Sequence, residues 1–212
     1  MKPGNKAKIA ILASGSGSNA QAIWRHFGAE NSLVEVAYIG CNRPPHWAGI
    51  YERAAKDGLP VERFNRADLE GGALRRTLEG LGVQWVALAG FLMHIPPAFI
   101  EGFPDQILNI HPSLLPRFGG QGMWGMNVHE AVHAAALAEP DLRESGMTIH
   151  RVNAEYDKGE IVFQASVAIH PAEDDAEAIA QKVLALEHRY YPLVLEHLLT
   201  DTPFSPIPQS PS

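Results

Sequence analysis

The sequence predicts an α/β fold: a mostly parallel, doubly wound sheet with a C-terminal β-hairpin and a long final helix. Three observations predict it. Short continuous apolar runs, as expected of strands covered on both faces, alternate through the first half with segments whose apolar residues recur at helical spacing. The first run is followed at once by a glycine-rich turn and a helical segment, the order expected in a parallel sheet. Two β-rich runs then precede a helical stretch near the end of the chain.

Lys8 to Ala13 is the first strand, Ser14 to Asn19 the turn, and Ala20 to Phe27 the helix. Glycines at 15 and 17 let the backbone approach an anion, and a helix start presents free N–H groups and a favourable dipole. The turn is therefore a phosphate-site candidate, with an unliganded turn as the plainer reading. The same letters, Gly15-x-Gly17-x-x-Ala20, fit a dinucleotide fingerprint, which needs an acidic residue after the second strand. That strand, Val34 to Gly40, runs instead into Cys41-Asn42-Arg43, which favours a phosphorylated small molecule.

Arg53 to Gly58 reads as a helix end with a glycine cap, and Pro60 to Phe64 as a short strand. Leu74, Leu78 and Leu81 give the next helix its apolar stripe, closed by Gly82. Trp85 to Ala89 is a buried strand, and Gly90 to Ile95 an apolar loop at its carboxyl end, the edge where such sheets bind ligands. The tract Val83 to Ile100 nears membrane-spanning length, but Gln84, His94, Pro96 and Pro97 are costly or helix-breaking in lipid.

Ile107 to Ile110 is the next strand. Residues two apart in a strand share a side, so Asn109 and His111 point the same way, and Pro112 ends the ladder. Local hydrogen bonding at a strand end would explain the pair equally well. Arg117 to Met126 is a glycine-rich loop, after which Asn127 is expected to cap a helix running to about Ala138. That helix holds His129-Glu130-Ala131-Val132-His133, the spacing of a zinc site, yet no third ligand follows at the expected distance and no metal is expected. Ser145 to Val152 and Glu160 to Ile169 are strands of a hairpin whose connection, Asn153 to Gly159, places Asp157 and Gly159 in a tight turn. Asp157 reads first as a turn residue. The last helix runs from about Asp174 to Leu199 with Ile179, Val183, Leu186, Tyr190 and Val194 on one face. Glu187 beside that stripe is either a solvated boundary residue or a carboxylate aimed into a site.

A chain of 212 residues suits a single domain, here residues 1–200, with a proline-rich tail at 201–212 expected to be disordered. The net charge of −7 and scattered basic residues argue against a nucleic-acid partner. The single cysteine, Cys41, and an N-terminus without a signal-peptide pattern lead to an expected cytoplasmic location, with no membrane segment.

Taken together, Asn109-Ile110-His111-Pro112-Ser113-Leu114-Leu115-Pro116, Gly15 to Asn19, Ala89-Gly90-Phe91, Tyr156-Asp157-Lys158-Gly159 and Glu187-His188 give a chain that resembles the phosphoribosylglycinamide formyltransferases, folate-dependent enzymes of purine (IMP) synthesis. The resemblance covers most of Lys8 to Leu199. It implies a Rossmann-like formyltransferase fold and transfer of a formyl group from 10-formyltetrahydrofolate, as co-substrate, to the amine of 5-phosphoribosylglycinamide, with no metal. It implies that Asn109, His111 and Asp157 are the catalytic group: Asn109 and a protonated His111 stabilise the oxyanion of a tetrahedral intermediate, and Asp157 favours the imidazolium and can order a proton-carrying water. The substrate is expected at Gly15, Ser16, Gly17, Ser18 and Asn19 through its phosphate, at Gly90, and at Glu187 through its ribose. Folate is expected against Arg66, Leu88, Leu92, Met93, His94, Ile95, Asn109, Val152, Asn153 and Ala154. Met93 stands where the family carries an arginine near the folate glutamate tail, Leu184 where it carries a glutamine, and the loop from Arg117 to Glu144 is longer. A monomer or homodimer is expected. A formyltetrahydrofolate hydrolase, another formyltransferase of the same fold and a non-catalytic phosphometabolite-binding module are the rivals. The first two are expected to carry an extra domain, and the retained Asn109, His111 and Asp157 weigh against the third.

Overall fold

The computed structural model describes residues 6–200. The strands are β1 (Ala7–Ala13), β2 (Val34–Cys41), β3 (Glu62–Arg63), β4 (Trp85–Leu88), β5 (Ile107–His111), β6 (Glu144–Arg151) and β7 (Ile161–Ala168). They form one sheet in the order β3-β2-β1-β4-β5-β6-β7. From β3 through β5 every pairing is parallel, whereas β6 pairs antiparallel with both β5 and β7. The sheet reverses direction at β5.

Alternation along β1 shows why helices cover both faces. Ile9, Ile11 and Ala13 enter one apolar cluster and Ala10 and Leu12 the other. The first cluster is closed by α1 (Ser18–Phe27), α2 (Ile50–Lys56), α6 (Met126–Ala138) and α7 (Ala176–Thr200), through residues such as Ile23, Ile50, Val132 and Val183. The second is closed by α3 (Arg66–Glu70), α4 (Ala73–Gly80) and α5 (Pro97–Ile100), through Leu69, Leu74, Leu78 and Phe99. Full burial of each such side chain contributes about 1.5–3 kcal/mol. The tract Val83–Ile100 resolves into β4, a loop and α5, and among the described residues no helix is long and apolar enough to cross a membrane.

Five expectations are corrected. The strand expected over Pro60–Phe64 shrinks to Glu62 and Arg63, exposed at the sheet edge. Leu81 lies past the end of α4 and is exposed, while Leu74 and Leu78 are buried. Asn127 does not cap α6: Gly125 precedes the helix, and the Asn127 amide donates to the Gly122 carbonyl. The final helix starts at Ala176, with Asp175 accepting from the Ala178 N–H, while Asp174 accepts from the His170 N–H and the Lys182 ammonium. The expected hairpin is present as β6 and β7, but residues 152–160 form a long excursion rather than a tight turn. The 201–212 tail lies outside the described residues.

The long helix is tied to the centre of the sheet by Tyr191, fully buried, whose hydroxyl lies 3.2 Å from the Leu88 carbonyl and 3.0 Å from the Leu108 carbonyl. Removing that hydroxyl leaves two buried acceptors without it. Tyr191→Phe is expected to lower stability by about 1–2 kcal/mol, measured as a reduced urea midpoint at unchanged slope; a wild-type midpoint would show that the hydroxyl bridge contributes nothing.

Candidate active site

Register places the site. Leu12 of β1, Leu88 of β4, Asn109 of β5 and His150 of β6 lie in one row across the sheet. The row runs along the carboxyl edge of the parallel strands. His111 follows Asn109 by two residues, opposite Thr148. After His111 the chain turns at Pro112, and Thr148, fully buried, staples that turn: its hydroxyl donates to the Ser113 carbonyl at 2.7 Å and accepts from the Leu115 N–H at 3.0 Å. Gln164 adds a bond to the Leu115 carbonyl. His111 is thereby held 3% exposed at the strand end.

Asp157 reaches this edge from the 152–160 excursion. It adopts φ 53°, a left-handed conformation that aspartate tolerates better than most residues. Gly159 is needed beside it, because a Cβ there would collide with the Arg151 carbonyl. The carboxylate sits between two imidazoles, with Oδ2 3.5 Å from His111 Nδ1 and Oδ1 3.5 Å from His150 Nε2. Its Oδ2 also accepts from the Gly120 N–H at 2.9 Å. Burial pushes the Asp157 pKa up, but His150, the Gly120 N–H and His111 together outweigh it and hold the carboxyl below its usual value.

His111 corrects an expectation. Nε2 donates to the Phe118 carbonyl at 2.8 Å, and Nδ1 faces Asp157, so both nitrogens meet acceptors. Burial nevertheless draws its pKa below the ordinary value, against the opposing pull of Asp157 and the Phe118 carbonyl. The ring is therefore biased toward the neutral form rather than standing as a preformed imidazolium. In a neutral His150, Nδ1 donates to the Arg151 carbonyl at 2.9 Å and Nε2 accepts from Asn109 Nδ2 at 3.1 Å.

The glycine-rich turn forms a second wall. Gly17 precedes α1 with φ 75°, and a Cβ on it would lie 2.5 Å from that of Ile50, so glycine is required twice over. Ser14 joins this turn to the loop after β4, its N–H donating to the Gly90 carbonyl and its hydroxyl accepting from the Leu92 N–H. From α7, Glu187 points inward, 6% exposed, and accepts from Asn19 Nδ2 at 2.7 Å. Burial raises its pKa to about 7, with the Asn19 amide opposing. Asn19 Oδ1 is buried without a protein partner.

These walls enclose a cavity of about 650 Å³. Of the predicted residues, Asn109, His111, Asp157, Ser16, Ser18, Asn19, Gly90, Glu187, Leu88, Leu92, Met93, His94, Ile95, Val152 and Asn153 line it. Gly15, Gly17 and Ala154 are not among the lining residues, although the Ala154 carbonyl lies 3.1 Å from the lining His94 Nε2. Arg66 stands apart on α3, paired with Glu70 at 3.0 Å. Sequence reasoning missed His150, a strand residue whose partnership with Asn109 depends on cross-strand register, and the loop residues Gln121 to Met126, which wall the opposite side. It also left His129 unused. That ring lines the cavity with its pKa lowered to about 4 by burial and by His111, while His133 Nε2 turns away to the Pro171 carbonyl. Among the described residues no three His, Cys, Asp or Glu side chains are grouped at metal-binding spacing.

Comparison with known proteins places this architecture. The formyl transferase family model matches residues 7–195. The chain is 40% identical over 194 residues to the chloroplastic phosphoribosylglycinamide formyltransferase of Arabidopsis thaliana, covering 88% of this chain and 63% of that one. It spans less than two thirds of the plant relatives' length, 61% for that of Vigna unguiculata. With the phosphoribosylglycinamide formyltransferase of Bacillus subtilis it shares 34% identity over 197 residues, 91% of this chain and 94% of the relative. Among solved structures, the phosphoribosylglycinamide formyltransferase of Anaplasma phagocytophilum superposes with a TM-score of 0.81 at 32% identity, covering 93% of this chain and 88% of that one. With a match that runs from β1 into α7 and takes in every wall of the cavity, the chain belongs to the formyl transferase family, with phosphoribosylglycinamide formyltransferases among its relatives.

Proposed function

We propose that the chain transfers the formyl group of 10-formyltetrahydrofolate to the amine of 5-phosphoribosylglycinamide, a step of purine synthesis in the cytoplasm. The observation that carries this reading is the meeting of Asn109, His111 and Asp157 in one cavity, between a phosphate-type turn and an apolar loop. The substrate phosphate lies at Ser16 to Asn19, where Gly17 opens the backbone and α1 begins. Its ribose hydroxyls lie at Glu187 and Asn19, and the folate ring system against Leu88, Leu92 to Ile95 and Val152 to Asn153.

The amine attacks the formyl carbon, negative charge collects on the former carbonyl oxygen, and collapse breaks the bond to the folate nitrogen. The nitrogen of the new amide loses a proton and the folate nitrogen gains one. Asn109 is the neutral donor to the oxyanion. His111 supplies charge when it takes a proton, since Nδ1–H would then face the Asp157 carboxylate, and it bonds the oxyanion by releasing the Phe118 carbonyl. Asp157, kept ionised, is the group through which a proton moves from amine to leaving nitrogen.

Incubation with both substrates is expected to give formylated amine and tetrahydrofolate in equal amounts; folate release at the same rate without the amine would establish a hydrolase instead. Asp157→Asn is expected to lower kcat by about 10²–10⁴-fold with the circular dichroism spectrum unchanged, and near-wild-type turnover in the folded variant would remove Asp157 from the mechanism. For Glu187, the folded pKa near 7 lies above the ordinary carboxylate value of 4.5, so the folded chain takes up a proton across that window and stability falls as pH rises through it. Glu187→Gln is expected to flatten that fall and to raise KM for phosphoribosylglycinamide. Urea melts at several pH values and a KM titration check both, and an unaltered pH slope would contradict the buried, ionisable role.

A further inference from the structure

Among the described residues no lysine or arginine lines the cavity, whose lining carries the carboxylates of Glu155, Asp157 and Glu187. The rim is apolar and aromatic: Leu92, Trp124, Met126 and Tyr156 line the cavity and are each exposed, from 42% to 53%, a grouping of large apolar side chains at the surface. Met93 also lines the cavity. His94, the rim side chain able to carry a positive charge, is turned to the Ala154 carbonyl at 3.1 Å and packs edge-on to Tyr156 with ring centroids 4.9 Å apart. Arg66 lies outside the lining and is engaged by Glu70.

This arrangement bears on the donor. On the formyl-transfer reading, with the substrate phosphate at Ser16 to Asn19 and the formyl group at Asn109 and His111, the folate extends across this exposed rim, p-aminobenzoyl group first and glutamate tail beyond it. Each glutamate adds negative charge at neutral pH. A carboxylate is held tightly by guanidinium or ammonium partners, and a mouth of aromatic and aliphatic side chains beside Glu155 offers none. Those side chains do fit a benzoyl ring, which gains from apolar and ring–ring contact.

We propose that this chain recognises its formyl donor through the pterin and p-aminobenzoyl portions alone, with the glutamate tail left in solvent, so that tail-less and polyglutamylated donors serve equally. The proposal rests on the formyl-transfer reading and deepens it to the class of donor accepted. Leu92, Trp124, Met126 and Tyr156 are the residues that set this specificity, and Met93 marks where a cation would change it.

Initial rates at saturating phosphoribosylglycinamide with 10-formyltetrahydropteroate, 10-formyltetrahydrofolate and its triglutamate test it. The three values of kcat/KM are expected to agree within about threefold. A fall of tenfold or more on removing the glutamate, equivalent to about 1.4 kcal/mol, would reveal a cationic partner and overturn the proposal. Absence of formylated amine with every donor would sink the formyl-transfer reading, and this inference with it. Met93→Arg is expected to raise the ratio of triglutamate to tail-less kcat/KM at least fivefold; an unchanged ratio would put the tail elsewhere and also count against the proposal.

Discussion

Strand β5 is the element on which the site depends, because it bonds in parallel to β4 on one side and antiparallel to β6 on the other. Backbone hydrogen bonds fix both registers at once, and the row Leu88, Asn109, His150 is their product. A slip of one residue in either pairing would turn Asn109 and His111 to the opposite face. Because β6 runs antiparallel to β5, His150 lies opposite Asn109, and the excursion carrying Asp157 begins just beyond it, after Arg151 opposite Leu108. Thr148 and Gln164 hold the turn after His111 from the same antiparallel strands. One topological feature thus positions the donor amide, the imidazole and the carboxylate.

Two inward carboxylates show how environment sets charge within this frame. Asp157 accepts from the Gly120 N–H and faces two imidazole nitrogens, and is held below its usual range despite burial. Glu187 has a single amide donor from Asn19 and is deeper, so burial prevails and its pKa rises to about 7. The first is suited to act as a persistent anion beside His111, and the second to exchange its proton when a polar ligand arrives. His111 and His129 show the opposite sign of the same effect, since burial disfavours a charged imidazole and lowers both. The loop from Phe118 to Gly120 connects these groups, bonding His111 through a carbonyl and Asp157 through an N–H.

The sequence by itself determined whatever local pattern can encode. Runs such as Lys8 to Ala13 and Trp85 to Ala89 specify buried strands because both faces are apolar, Gly17 specifies a turn no other residue fits, and Asn109 and His111 share a side by the period of a strand. Its resemblance to a known family added Asp157 and Glu187 as site residues. Only the tertiary structure decided what depends on segments distant in sequence. It paired His150 with Asn109, turned Glu187 inward, left Arg66 outside, shortened β3 to an edge fragment and replaced a tight turn by the excursion that carries Asp157. The reason is physical: periodicity reports which side of an element is apolar, whereas the charge of His111 and the partners of Asp157 follow from desolvation and from donors delivered by other strands, and neither is written in the neighbouring residues.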